Sequence, residues 1–337
     1  MKSRDKSFDI LKAIAIFLVI WQHSISCLGY GMEMMETYVG RAICMVNMPL
    51  FMFIVGYFSK SSIEAPLKKM LIKKWNTLLL PMCIFCLIST AIQWAYNPMA
   101  ANDLLEWRGG KLLLISIIKG YWFIWALLYS VLFFRFFYYL FKKIGFAWVS
   151  LISLIAIMLI PRWLPVPHFM YTQSMYPFFV LGLISKEYEI FPKIYCSRLK
   201  TSIAILSIAV FATLYCVYTE KEDFFYYYVL ISTSQWLLWY GLMIIAGVCG
   251  ILILSFAGRR LTKLGLIPDS LIQIGQYTLS IYLMQGVLCK LAEYKDWDRE
   301  DWYVYLFIAI FIFILLGSMA ILLSRFKLTS KIFLGKQ

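Results

Sequence analysis

The chain has 337 residues, of which 62% are hydrophobic, 18% aromatic and 15% charged, with a formal net charge of +14. That balance excludes a disordered chain, a collagen-like fibre and an ordinary water-soluble domain, because a globular core of this size does not need so much apolar surface. Apolar runs long enough to cross a bilayer recur from end to end, so the expected class is an all-α polytopic membrane protein.

Ten spans are expected, near residues 8–28, 42–59, 71–95, 122–141, 146–160, 173–186, 201–219, 228–256, 274–291 and 303–324. The fifth and sixth are short, which suits tilted or irregular helices. The first has a signal-peptide-like start (Lys2, Arg4, Lys6), but Asp9 and Lys12 interrupt its apolar core and no A-x-A-like site follows, so it is read as a retained helix. No Gly/Ser-rich linker, internal repeat or soluble extension is evident, and residues 1–337 are expected to form a single transmembrane domain.

With the N-terminus in the cytosol, this span count leaves the basic clusters around Lys60, Lys68, Lys73, Lys74, Lys142, Lys143, Arg259, Arg260 and Arg325 inside, and most acids outside. Both termini are then cytosolic. The net charge follows from short inner loops facing anionic headgroups and is not a nucleic-acid signal. The same face can hold a phosphate-bearing cosubstrate. The eight cysteines lie mostly in apolar runs. Cys83 and Cys86 form a C-x-x-C within a helix with no second pair, so they read as small buried hydrophobes and no metal is expected.

The first span carries Asp9, Lys12, Gln22 and His23. Lys12 and His23 are eleven residues apart, which returns them to within about 20° of one face and roughly 16 Å apart along the axis. Asp9 precedes Lys12 by three residues and can pair with it. Ionisable groups in a span face the bundle interior or a water-filled cavity. From spacing alone the plainer alternative stays open: Lys12 reaches to the headgroups with Asp9 as partner, and His23 is an interfacial residue. The chain has two histidines. The other, His168, lies in an outer loop rich in proline (Pro161, Pro165, Pro167), which leaves His23 as the membrane-embedded side chain of a type that exchanges protons near neutral pH.

The stretch FDILKAIAIFLVIWQH (8–23) resembles the opening motif of the membrane acyltransferase 3 family: an aspartate, a basic residue, ten residues, then a histidine. These are Asp9, Lys12 and His23, with lysine where arginine is usual. Lysine keeps the charge but not the flat bidentate contact. Further stretches resemble family segments in order: PLFMFIVGYF (49–58, Val55 for the usual serine), GYWFIWALL (120–128), YPFFVLGLI (176–184) and IGQYTLSIYLMQ (274–285), where Gln285 replaces a frequent histidine.

The resemblance implies ten helices with both termini cytosolic. It also implies transfer of an acyl group from cytosolic acyl-CoA, usually acetyl-CoA, to a hydroxyl of a cell-surface saccharide or its lipid-linked precursor in a bacterial cytoplasmic membrane. On that reading Asp9 and His23 are the catalytic residues of the motif, with His23 as general base and an acyl-histidine as the less favoured route. Lys12, with Arg135, Lys73 and Lys74, would hold the CoA phosphates. Tyr57, Gln22 and Gln285 are polar groups suited to the oxyanion or substrate. Trp122, with Trp107, Trp297 and Trp302, suits a sugar ring, and anchoring at the membrane interface is the alternative for each. The main rival is a transporter or flippase for a lipid-linked sugar; a scaffold without chemistry gives no reason for a polar stripe on the first helix. The residues leave the acceptor, the acyl length and homo-oligomerisation open.

Overall fold

The computed structural model describes residues 6–96, 108–161, 164, 166–219, 235–265, 268–295 and 297–335. Lys2, Arg4, Trp107, Pro165 and the start of the eighth expected span lie outside the described residues. Among those described there is no strand. A backbone in lipid must satisfy its own hydrogen bonds, and a helix does so within one segment.

The helices are α1 (Lys6–Ile25), α2 (Tyr38–Cys44), α3 (Asn47–Glu64), α4 (Leu67–Lys74), α5 (Leu80–Tyr96), α6 (Arg108–Lys119), α7 (Trp122–Phe141), α8 (Phe146–Leu159), α9 (Phe169–Glu187), α10 (Ile190–Cys196), α11 (Lys200–Thr219), α12 (Gln235–Lys263), α13 (Asp269–Ile274), α14 (Thr278–Ala292), α15 (Trp302–Ser324) and α16 (Lys327–Leu334). Among the described residues seven helical stretches are long and apolar enough to cross a membrane: Lys6–Tyr30, Tyr38–Glu64, Leu67–Tyr96, Trp122–Ile144, Lys200–Val217, Leu238–Lys263 and Trp302–Ser324. The protein is therefore an integral membrane protein. The other three expected spans also fall on helices, α8, α9 and α14.

Three boundaries differ from expectation. α9 starts at Phe169, four residues before the expected span, and Thr172, Gln173 and Ser174 in its first turns are buried in the bundle. Gln173 Nε2 donates to the Ile157 and Ile160 carbonyls, each at 2.8 Å, and so closes the end of α8. The ninth span begins later than expected, since α13 ends at Ile274 and α14 starts at Thr278. The expected outer loop 96–121 contains α6, which packs on α5.

Helix α1 is enclosed by α2, α3, α12, α13, α14 and α15. The tightest crossing joins α3 to α9, and glycine permits it. A methyl group on Gly56 would overlap the Phe179 carbonyl, and one on Gly182 would overlap the Phe53 carbonyl, so each glycine lies against the other helix's backbone. Small residues let helices approach where no water drives association. Both glycines belong to the segments GYF and FFVLG, which gives those motifs a packing role.

Contacts also fix which helix ends lie together. Phe8 stacks on Tyr57, Lys60 pairs with Glu187, Arg135 reaches the Ala65 carbonyl, and Lys6 pairs with Asp269 at 3.7 Å. Gly335 lies against Thr77. The first and last described residues thus sit at one end of the bundle, together with the basic loops, while His23 sits towards the other.

Gly182→Val forces the α3–α9 crossing apart and should destabilise the protein by at least about 1–3 kcal/mol, the usual cost of overpacking. The measurement is the loss of monodisperse, detergent-extracted protein on heating. Unchanged thermal behaviour would show that the two helices need no such approach.

Candidate active site

The charged turn of α1 is enclosed. Asp9 is 2% exposed, and Lys12 Nζ stands 3.5 Å from its carboxylate. A buried carboxylate persists only with a partner. Lys12 Nζ also lies 4.6 Å from the centre of the Phe58 ring. Phe8 stacks on Tyr57 at 4.3 Å, and Lys186 Nζ is 5.0 Å from the Tyr57 ring. Asp9, Lys12, Tyr57 and Lys186 therefore form one cluster at the basic end. Lys186 was legible only as a loop charge at the end of YPFFVLGLISK.

Arg135 sits at the same end but is engaged elsewhere. Its Nη1 donates to the Ile63 carbonyl and, at 2.6 Å, to that of Ala65. Its guanidinium carbon lies 4.5 Å from the Tyr139 ring centre. It satisfies carbonyls that the end of α3 leaves without intrahelical partners. Lys73 is exposed and Lys74 half-buried on α4, the short basic helix that follows α3.

His23 lies about 16 Å further along α1 by helix rise. It lines a cavity of about 380 Å³, a size within the range of roughly 300–1,000 Å³ usual for small-molecule sites. The other walls come from α5 (Ser89, Gln93), α6 (Ser116, Lys119), the α6–α7 turn (Tyr121, Trp122) and α14 (Tyr282, Gln285, Cys289). The structure thus brings three of the expected site residues together: His23, Trp122 and Gln285. Tyr57 is not among them, since it packs at the Lys12 end. Gln22 is occupied in joining α1 to α3, accepting from Asn47 Nδ2.

Two anchors shape the cavity. Tyr121 has a left-handed backbone (φ 42°), a strained conformation for a side-chain-bearing residue that persists where the surroundings impose it. Its hydroxyl donates to the Leu283 carbonyl at 2.9 Å and ties the α6–α7 turn to α14. Gln285 Nε2 donates to the Val19 carbonyl at 3.3 Å. That bond fixes the amide orientation and leaves Oε1 buried without a partner among the described residues. Trp122 lines the cavity beside Tyr121 and Tyr282, and its ring is backed by Tyr171 at 4.8 Å between centres. Among the described residues Trp297 and Trp302 are exposed and line no part of it.

His168 stands beside α6, its Nε2 2.9 Å from the Ile118 carbonyl. Burial lowers its pKa below the usual histidine range, so the neutral ring is the form that donates there.

The stripe from Lys12 to His23 is not continuous. Ile16 and Val19, which lie between them on that face, are fully buried, and no residue from the Lys12 end lines the cavity. Polar groups occupy both ends of the stripe, and packed aliphatic side chains close its middle. A second cavity of about 360 Å³, between α8, α9 and α12, is lined almost wholly by apolar side chains and offers no acid–base group.

A half-buried histidine lining a cavity, within a helical bundle whose far end is basic, suits a membrane-embedded group-transfer enzyme. The family model described as an acyltransferase domain, that of acyltransferase 3, matches residues 5–323, and the chain belongs to that family. It is an acyltransferase. The chain is similar to the nodulation protein NolL of Sinorhizobium fredii (strain NBRC 101917 / NGR234), with 29% identity over 86% of this chain and 80% of the relative. It is also similar to the nodulation protein NolL of Mesorhizobium japonicum, with 30% identity over 86% of this chain and 78% of the relative. No solved structure matches.

Replacing Arg135 separates its two readings. Arg135→Gln should cost about 1.5–3 kcal/mol of stability, the worth of hydrogen bonds from a charged group, and leave KM for the acyl donor within about twofold. A large rise in donor KM at unchanged stability would return Arg135 to the donor site.

Proposed function

We propose that the protein transfers an acyl group, in the first instance acetyl, from cytosolic acyl-CoA to a hydroxyl of a cell-surface saccharide or its lipid-linked precursor. On this reading it crosses the bacterial cytoplasmic membrane ten times as one domain, with both termini and the Asp9–Lys12 end in the cytosol. The observation that carries the reading is the place of His23. It lines the cavity of about 380 Å³ together with Gln285 and Trp122, on the same helix that presents Lys12 at the basic end.

CoA is polyanionic, and Lys12, with Lys186 beside it and Lys73 and Lys74 nearby, supplies charge for its phosphates. Asp9 holds the Lys12 ammonium in place. At the other end His23 takes the proton of the acceptor hydroxyl as its oxygen attacks the thioester carbonyl. The tetrahedral intermediate collapses by breaking the C–S bond, and the proton passes from the imidazolium to the CoA thiolate. Gln285 Oε1 is an acceptor for a neighbouring hydroxyl, since leaving it unpaired costs free energy that a substrate can recover. Trp122 offers a face to a sugar ring. Lys119 and Lys290 border the cavity and suit an acceptor that carries phosphate.

Because Ile16 and Val19 close the stripe, the pantetheine arm requires α1 and α14 to part. The bond between Gln285 and the Val19 carbonyl is the contact that such a movement breaks.

Two substitutions test the assignment. His23→Ala should lower acetyl transfer by about 10²–10⁴-fold, the usual contribution of a positioned base, while the protein still accumulates in the membrane. Normal activity would remove His23 from the mechanism. Lys12→Ala should raise KM for acetyl-CoA about tenfold, equivalent to about 1.4 kcal/mol, with a smaller effect on acceptor KM. The reverse pattern would reassign Lys12 to the acceptor.

A further inference from the structure

Beside the base lie two cysteines that acyl transfer does not use. A ring nitrogen of His23, Cys27 Sγ and Cys289 Sγ all lie within 4.8 Å of one another. They come from two helices: His23 and Cys27 are four residues apart along α1 and its extension through Ser26–Tyr30, and Cys289 is on α14. Residues four apart on a helix share a face. The extension winds more widely than an α-helix, a feature that recurs at functional sites. Both cysteines are unbridged and partly buried.

We propose that His23, Cys27 and Cys289 form a site for one soft cation, Zn²⁺ in the first instance, and that its occupancy silences the transferase. The donor set selects the ion. Two thiolates and an imidazole match zinc, which binds sulfur at about 2.3 Å and nitrogen at about 2.0–2.1 Å in tetrahedral sites. Ligand atoms about 3.3–3.8 Å apart span such an ion, so a contraction of about 1 Å from the observed limit brings all three into range. Among the described residues no carboxylate joins the cluster, which disfavours Mg²⁺ and Ca²⁺.

Charge adds to the match. Two thiolates cancel the double charge of Zn²⁺, and a neutral assembly costs least to bury among apolar helices. Binding releases the two thiol protons. His23 and Cys289 line the large cavity, whereas Cys27 lines a separate small one of about 40 Å³ with His23 and Cys289 on its other walls. The ion would therefore sit between the two, its fourth position open to the large cavity as in open zinc sites. A nitrogen bound to metal cannot take a proton from a hydroxyl. The silencing half of the proposal rests on His23 being the base; the binding half does not.

The experiment uses the purified, reduced full-length protein in detergent, titrated with Co²⁺ and then Zn²⁺. Co²⁺ should give a thiolate charge-transfer band and tetrahedral d–d bands that one equivalent of Zn²⁺ removes. Cys27→Ser should abolish the band and weaken Zn²⁺ binding by more than about 100-fold, beyond the loss expected from removing an outer-shell partner. The double variant Cys196→Ser, Cys216→Ser, which removes two exposed thiols, should keep it. In transfer assays Zn²⁺ should inhibit the parent reversibly on chelation, and Cys27→Ser should retain metal-free activity with that sensitivity lost.

Absence of the cobalt band, its persistence in Cys27→Ser, or a Cys27–Cys289 disulfide that forms in place of metal binding overturns the site. Stoichiometric binding with unchanged transfer overturns the silencing alone. In that case His23→Ala decides separately whether the base assignment stands.

Discussion

A polar side chain in a membrane span has to be enclosed by protein, and α1 carries four such groups within one helix. That requirement organises the bundle. Six helices contact α1 among the described residues, and several polar groups on it meet partners supplied by its own turn or by one of them. Asp9 takes Lys12, Gln22 takes Asn47 of α3, and the Val19 carbonyl takes Gln285 of α14. Where enclosure leaves space, at His23, there is a cavity bordered by hydrogen-bonding groups. Enclosure and chemistry thus have the same cause: lipid cannot solvate these groups, so the protein must.

The remainder of the scaffold serves that enclosure by close approach and by satisfied helix ends. Gly56 and Gly182 bring α3 and α9 into backbone contact, and Arg135 takes up the carbonyls at the end of α3. Neither feature touches a reacting atom. Both support the placement of Tyr57 and Lys186 at the charged turn of α1. A motif residue can therefore be needed for packing even when its family association suggests chemistry.

The two ends of α1 are chemically distinct and separated by a packed middle. The basic end suits phosphates, and the far end combines a base, aromatic faces and soft sulfur donors. On the proposed reading, closure between them would keep a cytosolic donor and an outer acceptor apart. Such a barrier suits a transferase whose two substrates come from opposite sides, because an open channel would also leak ions and water.

Much of this was legible in the order of residues. Continuous apolar runs located the helices, since backbone hydrogen bonding in lipid leaves few other structures. The eleven-residue interval of Lys12 and His23 placed them on one face because helical geometry is local, and the Asp9–Lys12 pair followed from three-residue spacing. The lateral neighbours were not legible. A helix such as α15 is apolar on every side, so its sequence carries no sign of which face meets protein and which meets lipid.

Only the tertiary structure could therefore bring Tyr121, Gln285 and Cys289 to His23. It also moved Tyr57 to the opposite end, gave Arg135 a helix terminus to close, and filled the stripe between lysine and histidine. Periodicity determines the face a residue occupies. Non-local packing, through close backbone crossings and buried hydrogen bonds, determines what that face meets.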